Sequence, residues 1–248
     1  MSVPHNRKPL GIKAYGSIPH LIGSRTGPGD HTVSSGQHRI CVEKTRDRHD
    51  LIIVEEKLDG SCVAVALLGG KIVPLVRAGY VAWSSPYEQH RLWARWVQAN
   101  EDRFHAVLNE GERLVGEWLA QAHGTRYALP HDPFVAFDLM RSHIREPRSV
   151  FWERVAGVFV TPRVIHVGVV VSIKEVRAGL KLSGHGALDP VEGAVWRVER
   201  DGKVDFLAKW VRPDKIDGLY LPEISGGKPV WNWCCSEESS AFPSVSCR

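Results

Sequence analysis

Between Leu51 and Val211 the chain is cut into short runs of β-branched and aromatic residues, each closed by a turn signal. That pattern restricts it to folds built from antiparallel strands. The run Leu51-Ile-Ile-Val-Glu-Glu56 stops at Lys57, residues 63–68 form a second run ending at Gly69-Gly70, and residues 72–76 read as the returning strand. Together they predict strand, loop, strand, turn, strand in one antiparallel meander. Residues 113–119, 134–139 and the long run 164–173 predict further strands. Residues 191–199 and 204–211 flank Asp201-Gly202, a dipeptide suited to a two-residue hairpin because both positions accept positive φ.

One stretch carries clear helical periodicity. Ser85 is a suitable N-cap, Pro86 suits the first helical position and Glu88 completes a capping box. Leu92, Trp93, Trp96 and Val97 fall on one face, continued by Phe104, Val107 and Leu108, with an interruption at residues 100–102 and a stop at Gly111. Trp93 and Trp96 therefore read as core packing and not as a stacking platform. Strands without regular βαβ alternation give an α+β class with antiparallel sheets. The first fifty residues read as loop-rich. Residues 23–30 hold three glycines and a proline and match neither phosphate-binding glycine pattern, so they read as a flexible loop.

Composition narrows the function only slightly. With 248 residues, 43% hydrophobic and 24% charged, the chain is an ordinary globular protein. A net charge of +4 suits a phosphate-rich partner without requiring one. Five cysteines with no CxxC pair support neither a disulfide framework nor a structural zinc site and suggest a reducing cytoplasm. No apolar run approaches the ~20 residues of a membrane span, and the polar first ten residues lack a signal core. The serine-rich residues 236–248 read as a disordered tail.

Lys57-Leu-Asp-Gly60 places a lysine where a strand ends and a turn begins, which anchors its base and exposes its tip. A lysine with an ordinary pKa of ~10.4 is mostly charged at neutral pH and needs nearby cations or desolvation to become a nucleophile. Further polar residues recur within apolar runs: Arg77 in Val-Arg-Ala-Gly, Glu117 in Val-Gly-Glu-Trp-Leu, Asp138 after Phe137, Glu192 in Val-Glu-Gly-Ala-Val-Trp, and Lys209 in Phe-Leu-Ala-Lys-Trp-Val. Strand alternation can aim several of them into one groove. Glutamates there need partners, and two of them with two lysines and an arginine suit a phosphate chain and its metal.

Taken in order, KxDG, RxG, GE, FD, EG and an apolar-flanked lysine resemble motifs I, Ia, III, IIIa, IV and V of the covalent nucleotidyltransferases, which include DNA ligases, RNA ligases and mRNA capping enzymes. The wording around the motifs is most similar to the bacterial RNA ligases. The resemblance runs over residues 51–212. It implies a nucleotidyltransferase domain, ATP-grasp-like, with two antiparallel sheets and flanking helices around a nucleotide groove, spanning residues 1–235. It implies catalytic roles for Lys57, Lys209 and Glu192: Lys57 attacks the α-phosphate of ATP, Lys209 contacts that phosphate, and Glu192 organises Mg²⁺ (or Mn²⁺). It implies nucleotide contacts from Asp59 and Gly60 in the turn, with Asp59 near the ribose end, from Arg77, from Glu117 at the ribose hydroxyls, from Phe137 stacked on adenine, and from Glu56. Asp138 reads as a structural acceptor. The implied substrate is RNA with 5′-phosphate and 3′-hydroxyl ends, with room for a partner protein in RNA repair.

Two departures qualify the resemblance. Ligases usually carry two lysines in motif V, two residues apart, whereas Leu207 and Val211 flank Lys209 at that spacing, leaving Arg212 and Lys215 as candidates for the missing charge. The stretch after Lys209 is too short for the ~70–100-residue oligonucleotide-binding barrel expected of a DNA ligase or capping enzyme. Trp231 and Trp233 read as a lock for the C-terminus. Alternatives that share these residues are a minimal DNA nick ligase, a GTP-dependent capping enzyme, and a nucleotide or RNA-end binding module with reduced catalysis.

Overall fold

A computed structural model describes residues 8–233. In chain order the strands are β1 (Asp50–Lys57), β2 (Ser61–Leu68), β3 (Lys71–Val76), β4 (Glu112–Trp118), β5 (Phe134–Arg141), β6 (Ile144–Arg145), β7 (Val164–Gly168), β8 (Gly193–Arg200) and β9 (Lys203–Val211). They form two antiparallel sheets, ordered β7-β1-β8-β9 and β3-β2-β4-β5-β6. The helices are α1 (Ser35–Val42), α2 (Glu88–Ala99), α3 (Glu101–Val107), α4 (Arg148–Val155), α5 (Ile173–Gly179) and the short α6 (Pro222–Ser225).

The expected meander is corrected at its first step. β2 and β3 pair as a hairpin across Gly69-Gly70, but β1 belongs to the other sheet, beside β7 and β8. The residues between β1 and β2 therefore cross from sheet to sheet. The Asp201-Gly202 hairpin forms with φ of 51° and 70°, the conformation its residue types favour. The run 164–173 yields only β7, because Ser172 caps α5 with a reciprocal box through Glu175. Helix α2 begins later than expected: Tyr87 is its N-cap, and the Ser85 hydroxyl lies 2.7 Å from Nδ1 of His90 instead of capping the helix. The break at Asn100 separates α2 from α3, which ends at Val107, while Gly111 (φ 78°) turns the chain into β4. In the loop-rich N-terminal part, α1 forms behind a Ser34/Gln37 capping box.

The largest core lies between the second sheet and α2, α3 and α4. Trp93, Trp96, Phe104, Trp118, Phe134 and Phe159 pack there with ring centroids 4.8–6.2 Å apart. Such offset and edge contacts add to the area these rings remove from water. A second core covers the outer face of the first sheet, where Ile52, Val54, Trp196 and Trp210 meet Cys41 of α1 and Val176 of α5. The opposite faces of the two sheets are left to line a groove. Residues 19–25 run beside β9: Lys209 N–H donates to Pro19 O at 2.9 Å, Leu21 N–H to Lys209 O at 2.8 Å, and Arg25 N–H to Val211 O at 3.2 Å. Trp231 and Trp233 pack on the large core, and Asn232 donates to Leu119 O at 2.8 Å. The stretch 236–248 lies outside the described residues.

Candidate active site

A cavity of about 710 Å³ opens between the sheets, a size within the ~300–1,000 Å³ range of small-molecule sites. Lys57, Gly60, Arg77, Glu117, Phe137 and Lys209 all line it. Strand pairing explains the convergence. Lys57 ends β1 opposite Gly193, the first residue of β8, so Glu192 just before β8 lies beside the lysine. On β2 and β4, Cys62 pairs with Glu117. On β9, Leu207 and Lys209 share the cavity face by two-residue alternation.

Lys57 Nζ donates to Glu192 Oε2 at 2.6 Å and to Leu58 O at 3.2 Å. Burial alone would lower the pKa of this ammonium, but the carboxylates of Glu192, Glu117 and Asp59 outweigh burial and hold it above the ordinary lysine value. Burial also raises the Glu192 carboxyl, with Lys57 opposing. Glu117 is pushed up to about 7, mainly by burial, and its Oε1 accepts the Gly60 N–H at 3.0 Å. Lys209 is lowered by burial and by the charge on Lys57. Arg77 is exposed at the rim, where its Nη2 donates to Ser17 Oγ at 2.9 Å. Phe137 is half-buried and meets Tyr15 edge-on at 5.2 Å.

Two residues expected at the nucleotide are engaged with protein partners. Glu56 borders the cavity, but its carboxylate accepts from Ser183 Oγ at 2.9 Å, Gly184 N–H at 2.8 Å and Arg163 Nε at 3.2 Å. Alternation along β1 sends it to the face opposite Lys57. Asp59 is set back from the residues that line the cavity. Its Oδ2 accepts the Gly124 N–H at 2.9 Å and pairs with the buried ammonium of Lys215 behind the turn, while its own N–H donates to Tyr127 Oη at 3.1 Å. Lys215 is thus engaged away from the cavity, and Arg212 pairs with Asp214 at 2.7 Å.

The cavity is also lined by a charged network of which the sequence singled out only Asp138, as a structural acceptor. Asp138 is 1% exposed, pairs with Arg197, accepts from Tyr15 Oη at 2.5 Å and lies 3.3 Å from Arg145 Nε. Arg148 pairs with Glu55 and donates to Phe137 O at 2.6 Å. Glu55 and Arg197 stand two residues from Lys57 and Val195 on the cavity face of their strands, a spacing that alternation alone reveals. Arg148 and Tyr15 lie outside the strands and carry no such signal.

A model of the RNA ligase family matches residues 50–211. This chain belongs to the RNA ligase family. A search of curated proteins found no match. Among solved structures, an RNA ligase of Naegleria gruberi, a lysine-to-alanine variant with ATP and manganese, matches with a TM-score of 0.51 at 13% identity, covering 81% of this chain and 61% of that one. An archaeal ATP-dependent RNA ligase gives 0.49 at 18% identity, covering 79% and 48%. A putative ATP-dependent DNA ligase from Aquifex aeolicus gives 0.47 at 16% identity, covering 79% and 49%. The Naegleria match carries the likeness in fold, and this RNA ligase family member spans about half the length of the archaeal and Aquifex proteins.

A metal at this site would be held by one protein carboxylate and its remaining ligands would come from elsewhere. Among the described residues no three His, Cys, Asp or Glu side chains cluster as a self-sufficient metal site. Glu192 offers one carboxylate beside Lys57, and Mg²⁺ commonly takes one or two protein carboxylates together with phosphate oxygens and water. Among the described residues no helix is long and apolar enough to cross a membrane.

Proposed function

We propose that this protein is an ATP-dependent RNA ligase that carries AMP on Lys57. The observation that carries the reading is the meeting of Lys57, Glu117, Arg77, Phe137 and Lys209, drawn from both sheets, around one cavity, with Glu192 bonded to the lysine. Lys57 Nζ forms a bond to the α-phosphorus of ATP as the bond to the β-phosphate oxygen breaks and pyrophosphate leaves. The lysine must first lose a proton, and Glu192 Oε2 is placed to accept it. Lys209 offsets negative charge that builds on the α-phosphate. Phe137 stacks on adenine, and Glu117 binds the ribose hydroxyls. Mg²⁺, held in part by Glu192, supplies neutralisation of the triphosphate when bound.

The AMP then passes to an RNA 5′-phosphate, and a 3′-hydroxyl displaces it to seal the strand. Arg77, exposed at the rim where it donates to Ser17, is suited to the incoming phosphate. Phosphate contacts of this kind make RNA binding weaken steeply with salt.

The test is self-adenylation with ATP labelled at the α-phosphate, with Lys57→Ala alongside. Label on the wild type and none on the variant supports the reading. Intact ATP binding without label, across metals and pH, overturns it in favour of a binding module. Sealing of RNA against DNA nicks then separates the RNA ligase from a minimal DNA ligase.

A further inference from the structure

Lys215 lies past the end of β9 and outside the stretch matched by the RNA ligase family model. Its side chain is 1% exposed, and its ammonium pairs with Oδ2 of Asp59, the acid of the turn that begins at Lys57. The same oxygen takes the Gly124 N–H. Gly124 makes this meeting possible, because a Cβ there would come within 2.5 Å of Lys215 Nζ and 2.9 Å of Asp59 Oδ2.

The route to Lys215 is fixed at both ends. Arg212 N–H donates to Glu192 O at 3.0 Å, and Lys215 N–H to Arg212 O at 3.3 Å. One short segment therefore connects Glu192, which holds the Lys57 ammonium, to the acid two residues beyond that lysine. Beyond it, Tyr220 N–H donates to His123 O at 2.7 Å and Ala122 N–H to Val230 O at 2.9 Å, so residues 212–233 strap the first sheet to the loop after β4. Burying a charge pair returns little net stability after desolvation. What such a pair does supply is a fixed direction for the backbone that carries it.

We infer that Lys215 is a positioning residue for adenylate formation, acting through Asp59 to set the turn that presents Lys57 to the α-phosphate. The inference rests on Lys57 being the adenylate acceptor. It also answers the single lysine of β9: the second lysine of the site works from behind the turn and does not touch phosphate.

The test measures equilibrium ATP binding, the single-turnover rate of lysyl-adenylate formation and thermal melting for wild type, Lys215→Met, Asp59→Asn and the double variant. Lys215→Met is expected to bind ATP within about threefold of wild type and to form the adduct at least about thirtyfold more slowly. Adding Lys215→Met to Asp59→Asn is expected to slow the reaction less than about threefold further, since the partner is already gone. Should Lys215→Met melt below the assay temperature, Asp59→Asn carries the test, with the same split between intact binding and slow chemistry. Wild-type rates in Lys215→Met, independent effects of the two substitutions, or a loss that tracks ATP binding would overturn the inference while leaving Lys57 as acceptor. Absence of adduct in the wild type would instead overturn the ligase reading, and this inference with it.

Discussion

The ammonium of Lys57 donates across 2.6 Å to Oε2 of Glu192, which holds the candidate nucleophile in its charged and unreactive form. Neutralising that carboxylate in Glu192→Gln removes the largest of the influences that raise the lysine, so its pKa falls. In the absence of nucleotide, labelling of Lys57 by an amine-acylating reagent at fixed pH should speed up about tenfold, read by mass spectrometry of the modified peptide. Adduct formation with ATP should fall in the same variant, because the carboxylate that receives the proton is gone.

Asp138 holds the floor of the cavity together. Asp138→Ala leaves Arg197 buried at 1% exposure without its main ion-pair partner. Removing one member of a buried pair costs about 3–5 kcal/mol, which for a chain of this size lowers the melting temperature by about 10 °C or more. Tyr15→Phe removes one hydrogen bond to the same carboxylate and should cost about 1–2 kcal/mol. Calorimetry or chemical denaturation distinguishes the two.

Most of the site was legible because strand alternation and turn chemistry are local. Lys57, Glu117 and Lys209 stand in apolar runs whose direction follows from a period of two, and the Asp201-Gly202 hairpin follows from its residue types. The same period puts the side chain of Glu56 opposite Lys57, where Ser183, Gly184 and Arg163 engage it. The sheet to which β1 belongs was not legible, because pairing with β7 and β8 is decided by residues more than a hundred positions away. Arg148 escaped for a similar reason, and Lys215 read only as a candidate for the missing charge: their partners Glu55 and Asp59 are remote in sequence. The helix α1 had a readable capping box at Ser34 and Gln37 that the glycine-rich surroundings obscured.

Buried histidines contribute to the loss of stability in acid. Burial lowers His90, which sits 2.9 Å from Ser61 Oγ and 2.7 Å from Ser85 Oγ, to about 4, and lowers His185 to about 4. A depressed histidine contributes stability that is present above the unfolded value near 6.5 and is lost as pH falls toward 4. Glu117, raised to about 7 by burial, works in the opposite sense and loses stability as pH rises from about 4.5 to 7. The His90→Asn variant isolates the first contribution. Its urea unfolding free energy should decline less than the wild type's between pH 6.5 and 4.5.

Gly60 admits no side chain. A Cβ would lie 2.5 Å from Trp118 O, a backbone atom, and 3.0 Å from Leu119 Cδ2. Gly60→Ala should therefore displace the turn, breaking the hydrogen bond from Gly60 to Glu117. The expected outcome is a loss of roughly 2–3 kcal/mol of stability and of at least about a hundredfold in adduct formation, read by melting and by label incorporation. A variant with wild-type rate would show that the turn tolerates movement.

The turn after β1 is also the shortest covalent link between the two sheets, since β1 ends at Lys57 and β2 begins at Ser61. Lys57 thus sits where the chain crosses from one half of the cleft to the other. Only residues 58–60 separate Lys57, still paired with Gly193 in one sheet, from Ser61 in the other, so a displacement of the second sheet reaches the lysine through three residues of chain.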